Sequence, residues 1–343
     1  MDNISASVSK KFRFVSTLSM LAVVFIHAKF IMSRWNGFMD KSTLMGKVSD
    51  VVQFTISEQI CRLAVPLFFL ISGFFMAYHN DGSFKQYLSR VQSRTKSLMV
   101  PYLLFSSVWL VISVTVGIVK ISNIGDFIYY AVISPIPFQF WFLQHLMVLV
   151  LISILLYRLI KSFYFPAIIM LGIIYLMESD IRTGFGGSLF YYGIGMSLCI
   201  NPLRGNVRCK NLLSAVFIFL CVACALNRYF GIDIGYVTHS MVSKVMILCG
   251  VCYCVWWILF DKTSFNIPQW LSISSGTSFF IFCIHEPLLS FMKSMYLHIF
   301  SAQCEILVGY FILPFLTITL CLIVDSFVKK ASLKLYKVLT GGR

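Results

Sequence analysis

Five side chains equipped for chemistry sit where hydrocarbon is expected. His27 lies within MLAVVFIHAKFIM (20–32), Arg62 opens RLAVPLFFLISGFF (62–75), His145 lies in WFLQHL (141–146), and His285 with Glu286 lies in FIFCIHEPLL (280–289). Ionisable groups inside a membrane are costly and usually face an internal cavity. Imidazoles, a guanidinium and a carboxylate together could relay a proton or hold an anionic group. A single buried histidine is equally well explained as a satisfied core group, and His145, next to Trp141 at an interface, reads most simply that way. A set of such groups at one depth reads as a polar site.

Whether they share a depth depends on the elements that carry them. The chain has 343 residues, 59% hydrophobic and 12% charged, with a mean hydropathy of +0.85. A soluble domain carries roughly a quarter charged residues, so the composition points to a polytopic membrane protein. A bilayer core needs about 20 apolar residues per helix. Ten runs qualify: 12–32, 57–78, 98–119, 141–160, 163–178, 186–200, 211–230, 241–260, 272–297 and 307–328. The expected fold is therefore all-α, a single integral-membrane bundle of about ten spans over 1–343, with a basic tail at 329–343. "VKKASLKLYKVL" in that tail reads as an amphipathic helix on the inner leaflet. The N-terminal Lys10, Lys11 and Arg13 before an apolar run resemble a signal peptide, but the run is long and more spans follow, so it reads as an uncleaved first span.

The net charge is +15. Most of the 28 basic residues fall on one side when both termini are placed in the cytoplasm. The positive-inside rule thus accounts for the charge, favours N-in and C-in, and removes the case for nucleic acid. Most of the eleven Cys lie in apolar runs and read as small hydrophobes. Cys221-Val-Ala-Cys224 has a redox or metal spacing without polar companions, so no metal is expected.

In this layout His27, Arg62, His145 and His285 fall in the middle-to-outer part of the membrane. Arg13 to His27 is fourteen residues, roughly 20 Å at ~1.5 Å per residue. Arg13, Ser16 and His27 share one helical stripe, leading from the inner phosphate level to the buried imidazole. Arg13 also reads as a positive-inside anchor. On the second span, Pro66 loosens the helix, and Ser72-Gly73 permits close approach of a neighbouring helix or a ligand. In FKQYLSRVQSRTKSLMVPY, Arg90 and Arg94 share a face at i, i+4, as an anchor face or as a phosphate clamp.

These segments, with VVFIH ending the first-helix run and VPYLLF at 100–105, resemble in order the acyltransferase-three family of bacterial integral-membrane O-acyltransferases. The resemblance covers most of the chain. It implies a multi-pass enzyme of the bacterial inner membrane that moves an acyl group, usually acetyl, from cytoplasmic acetyl-CoA to a sugar hydroxyl of a surface glycan such as O-antigen, free or lipid-linked. It implies a stand-alone member, without the fused esterase-like domain of some relatives. The family's first-helix histidine falls on His27, as general base or covalent acyl carrier. Its second-helix arginine falls on Arg62, suited to an oxyanion, and its late histidine falls on His285, with Glu286 orienting it. The family usually has Arg where Ser16 stands; Arg13, one turn lower, is the substitute. The resemblance thus assigns His27, Arg62 and His285 to catalysis; depth, spacing and residue type add Arg13, Ser16, Ser72, Gly73, Arg90 and Arg94 for the donor, and Trp141, His145 and Glu286 for the acceptor. A transporter or flippase of a lipid-linked glycan is the alternative, with the same cluster serving proton coupling or anion binding.

Overall fold

The computed structural model describes residues 6–31, 38–78, 83–180, 182–201, 207–261, 268, 271, 273–300 and 302–342, with residues 6 and 207–209 as backbone only. Arg204, Lys262 and Arg343, three of the basic residues that the expected layout places in the cytoplasm, lie outside the described residues. The described residues are helical and contain no strand. In chain order the helices are α1 (Ala6–Ala28), α2 (Leu44–Gln53), α3 (Ala64–Ala77), α4 (Phe84–Thr115), α5 (Ile124–Ile128), α6 (Trp141–Ser162), α7 (Tyr164–Met177), α8 (Phe185–Ile200), α9 (Val207–Phe230), α10 (Tyr236–Phe260), α11 (Ser275–Ile299), α12 (Gln303–Ala331) and α13 (Leu333–Leu339). Seven helical stretches among the described residues are long and apolar enough to cross a membrane. α7 and α8 are shorter, at 14 and 16 residues. α11 has 25 residues and carries His285, Glu286 and Lys293. The chain is a polytopic helical bundle.

Two local readings change. The second span does not begin near 57: α2 runs through a π-helical turn (Phe54–Ile60) and a 3-10 turn (Cys61–Leu63) into α3. Pro66 has no N–H to pair with the Arg62 carbonyl, and its ring crowds that carbonyl, so the irregular turns lie just upstream of it. The third span likewise begins well before 98: the segment around Arg90 and Arg94 is the first half of α4. The tail after residue 328 continues α12 and then turns into α13, whose Tyr336 is buried in the main core.

The core has two parts. One gathers residues of α3, α4, α6 and α8, among them Leu70, Tyr102, Leu149 and Tyr192. The other joins the C-terminal half of α1 to α11 and α12 through Val24, Leu289 and Tyr310. Large apolar side chains such as Phe165, Phe219 and Phe327 remain exposed on the periphery, as a lipid-facing surface requires. α3 and α8 cross at glycines. A Cβ at Gly73 would lie 2.0 Å from the Tyr192 carbonyl oxygen, and one at Gly195 would lie 2.0 Å from that of Leu70. Small residues at a helix crossing let backbones approach, which is what packing in lipid rewards.

Three lysines buried to 1% exposure act as caps between helices. Lys11 donates to the Trp257 and Asp261 carbonyls at 3.2 and 2.6 Å, closing α10. Lys244 donates to Leu176 and Glu178 at 2.8 and 2.5 Å, closing α7. Lys293 donates to His27 and Lys29 at 3.2 and 2.7 Å, closing α1. A helix C-terminus leaves carbonyls without partners and carries partial negative charge. An ammonium from a neighbouring helix satisfies both, and each cap ties two elements distant in sequence. The third holds the last turn of α1, where His27 sits.

Candidate active site

Two cavities lie in line along α1, an inner one toward its N-terminus and an outer one toward its C-terminus. The inner one, about 730 Å³, takes Arg13, Ser16 and Met20 from α1, Ser72 from α3, and Ser274, Ser275 and Ser278 from the start of α11. The outer one, about 250 Å³, takes Val23 and His27 from α1, Arg62 from the 3-10 turn, Trp141 from α6, and Glu286 and Lys293 from α11. Residues 9, 13, 16, 20, 23 and 27 therefore form one stripe that runs through both, as spacings of three and four on a helix dictate.

At the outer end, the rings of His27 and His285 meet edge to face with centroids 5.4 Å apart. His285 is fully buried. Its Nδ1 lies 3.0 and 2.9 Å from the carbonyl oxygens of Ile281 and Phe282. Carbonyls only accept, so this nitrogen carries the proton in the neutral ring, and Nε2 is left with its lone pair. Nε2 has no hydrogen-bond partner. The carbonyls of its own helix thus orient His285. Glu286 does not do so: it lines the outer cavity and accepts from Ser290 Oγ at 3.0 Å.

Arg62 is held by Glu58. Its Nε and Nη2 donate to Glu58 Oε2 at 3.0 and 2.7 Å. Glu58 Oε1 pairs with Lys29 and stands 3.8 Å from Arg182 Nη2. One carboxylate therefore gathers three cations at the rim of the outer cavity, and the local field there is positive. Glu58 comes from the π-helical turn, a kind of irregularity frequent at functional sites.

The remaining expected site residues separate into two groups. Arg13, Ser16 and Ser72 line the inner cavity, and Trp141 lines the outer one. Gly73 lines neither; it is the α3–α8 contact described above. Arg90 donates to the Met76 carbonyl at 2.7 Å, closing α3, and Arg94 is exposed; neither lines the inner cavity. His145 lines neither cavity. Its Nδ1 is 3.0 Å from Ser188 Oγ, and its ring packs edge-on against Trp141 and Phe185. It supports Trp141 from behind.

The sequence reading missed Lys29, Glu58, Gln139, Arg182 and Lys293. Some of them left a trace: Glu58 and Arg62 are spaced i, i+4, and Glu286, Ser290 and Lys293 lie at i, i+4, i+7 on one face of α11. Gln139 left none. It is 3% exposed, lines the outer cavity, and neither amide atom has a hydrogen-bond partner. A buried amide with no partner costs free energy, and this one faces space in which a ligand hydroxyl could satisfy it. Among the described residues, no cluster of three or more His, Cys, Asp or Glu is arranged to hold a metal ion.

A family model described as "Acyltransferase domain" matches residues 15–325. The chain belongs to the acyltransferase-three family. It is a membrane O-acyltransferase, and the enzyme reading prevails over the transporter. The acyltransferase is also similar to the succinoglycan biosynthesis protein ExoH of Rhizobium meliloti (strain 1021), 22% identical over 362 residues, which cover 98% of this chain and 93% of that protein. No solved structure matches it.

Proposed function

We propose that the acyltransferase moves an acetyl group from cytoplasmic acetyl-CoA to a sugar hydroxyl of an envelope polysaccharide at the outer face of the bacterial inner membrane. The observation that carries this reading is the single α1 stripe joining an inner cavity lined by Arg13 and several serines to an outer cavity lined by His27 and Arg62, with His285 packed against the His27 ring. The acceptor class is taken from the succinoglycan relative.

The inner cavity suits a CoA thioester. Arg13 and the N-terminus of α11, capped by Ser274, offer a cation and unpaired N–H groups to phosphates that cannot enter hydrocarbon. Hydroxyls of Ser16, Ser72 and Ser278 line the way inward. The fourteen residues from Arg13 to His27 span about 21 Å, a reach suited to an extended pantetheine arm.

In the outer cavity the acceptor hydroxyl attacks the thioester carbonyl. His27 takes the hydroxyl proton as the C–O bond forms. Arg62, fixed by Glu58, faces the oxyanion that develops on the carbonyl oxygen. Collapse of the tetrahedral intermediate breaks the C–S bond, and His27 returns the proton to the departing sulfur. The products are a sugar ester and the free thiol. The lone pair on His285 Nε2 can accept the other N–H of His27 and steady the imidazolium. Gln139 and the Trp141 ring are placed to hold the sugar, one by hydrogen bonds and the other by its apolar face.

Purified protein in proteoliposomes, given radiolabelled acetyl-CoA on the Arg13 side and polysaccharide on the other, is expected to yield an alkali-labile glycan label. No label from any acyl-CoA overturns the reading.

Two expectations accompany it. Both termini face the cytoplasm, so a reporter fused after residue 343 should report the cytoplasm and one inserted near Ser42 the outer side; the two exchanged reverses the assignment of the two cavities, and the same side for both overturns the span layout. Arg13→Gln should raise the apparent KM for acetyl-CoA about tenfold, as expected for loss of a charge-assisted phosphate contact worth roughly 1.5 kcal/mol, with kcat nearly kept. Arg94→Gln, outside the cavity, should leave KM unchanged. An equal response of the two variants would make Arg13 an anchor only.

A further inference from the structure

The two cavities are divided by a layer of three phenylalanines. Phe68 of α3, Phe142 of α6 and Phe282 of α11 each line both cavities. Phe142 stands in the middle, with ring centroids 6.0 Å from Phe68 and 5.6 Å from Phe282, at interplanar angles of 59° and 62°. Aromatic rings at such separations are in contact. Immediately behind them, Phe69 and Phe140 are fully buried, as core residues are, whereas all three members of the layer keep part of their surface open. On the α1 side, Met20 belongs to the inner cavity and Val23 to the outer, so the stripe is apolar at this level. The polar residues stop on either side: Ser16 and Ser72 on the inner, His27 and Arg62 on the outer.

A donor bound in the inner cavity must pass its acyl group through this layer to reach His27. A narrow chain can slip between tilted rings with a modest χ rotation. A branched or cyclic group cannot do so without displacing Phe142 against its packed neighbours, and close-packed interiors resist that. An apolar layer with no polar side chain also denies a path to ions while no donor is bound.

Resting on the reading above, we infer that Phe68, Phe142 and Phe282 form the sieve that selects the acyl group. The donor class is a CoA thioester of a short, unbranched acid, and the same three rings seal the membrane between the cavities.

The test compares wild type, Phe142→Ala, Phe142→Leu and Val65→Ala in proteoliposomes. Val65 lines the outer cavity and not the inner one. Each is given acetyl-CoA in competition with isobutyryl-CoA or benzoyl-CoA, and the glycan esters are counted by mass spectrometry. Wild type should strongly prefer acetyl. Phe142→Ala should shift the benzoyl-to-acetyl ratio about tenfold or more, in line with what pocket shape contributes to discrimination. Phe142→Leu should fall between, and Val65→Ala should stay within about twofold of wild type. A ratio that moves with Val65 and not with Phe142 puts selection in the outer cavity and overturns the sieve.

The seal is read separately, without transfer, from proton leak into dye-loaded vesicles. Phe142→Ala should leak faster than wild type. Equal leak with an unchanged acyl ratio overturns the proposal. Faster leak in vesicles where wild type transfers nothing would support the seal and place the failure in the proposed reaction instead.

Discussion

His27→Gln is expected to abolish acyl transfer to the glycan while the protein accumulates normally in the membrane. Glutamine keeps polarity and approximate size, and the backbone carbonyl of residue 27 can still accept from Lys293, which is 3.2 Å away. The end of α1 therefore stays capped, and the fold has little reason to change. What is lost is a ring nitrogen whose lone pair can take the hydroxyl proton as the ester bond forms. General acid–base catalysis typically contributes about 10²–10⁴-fold, so the loss in kcat should fall in that range, well beyond a packing defect at a half-buried position. The measurement is glycan ester per unit of membrane protein. Near wild-type transfer by His27→Gln would move the base to His285, whose Nε2 lone pair is the nearest alternative. His285→Gln in the same assay should cost less than His27→Gln, because a supporting role is expected for His285.

Arg62→Gln should lower kcat by about 10²–10³-fold, the usual cost of losing a preorganised oxyanion partner, with little change in KM for the donor. A second explanation must be separated from this one. Arg62 also neutralises Glu58, and breaking a buried ion pair from one side typically costs about 3–5 kcal/mol because a charge is left behind. Glu58 keeps Lys29 as a partner after the change, which limits that cost. The double variant Glu58→Gln with Arg62→Gln decides the matter. If Arg62 serves only to balance Glu58, removing both restores transfer; if it stabilises charge in the transition state, the double variant stays as slow as Arg62→Gln. The coupling between the two sites is what a double-mutant cycle measures.

What could be read from residue order alone was whatever depends on neighbours in the chain. Hydropathy and the length of a bilayer crossing are local quantities, so a polytopic helical protein follows from composition and run length. Helical spacing is local too, which is why the stripe from Arg13 through Ser16 to His27 was visible before any packing was known. The motif order carried the family.

Only the tertiary structure decided which side chains from different helices meet. At i, i+4 on one face, Arg90 and Arg94 look like a phosphate clamp, yet Arg90 closes α3 and the inner cavity is lined by Arg13 and the serines of α11. Ser72 and Gly73 are adjacent in sequence but take opposite roles, one lining the cavity and the other admitting the Tyr192 backbone. Lys293 is 264 residues from Lys29, whose carbonyl it caps, and Phe68, Phe142 and Phe282 come from three separate helices. No periodicity reports such encounters. They are set by how closely α3 and α8 cross at their glycines and by which helix end each buried lysine closes, and both are properties of the packed bundle, not of any one segment.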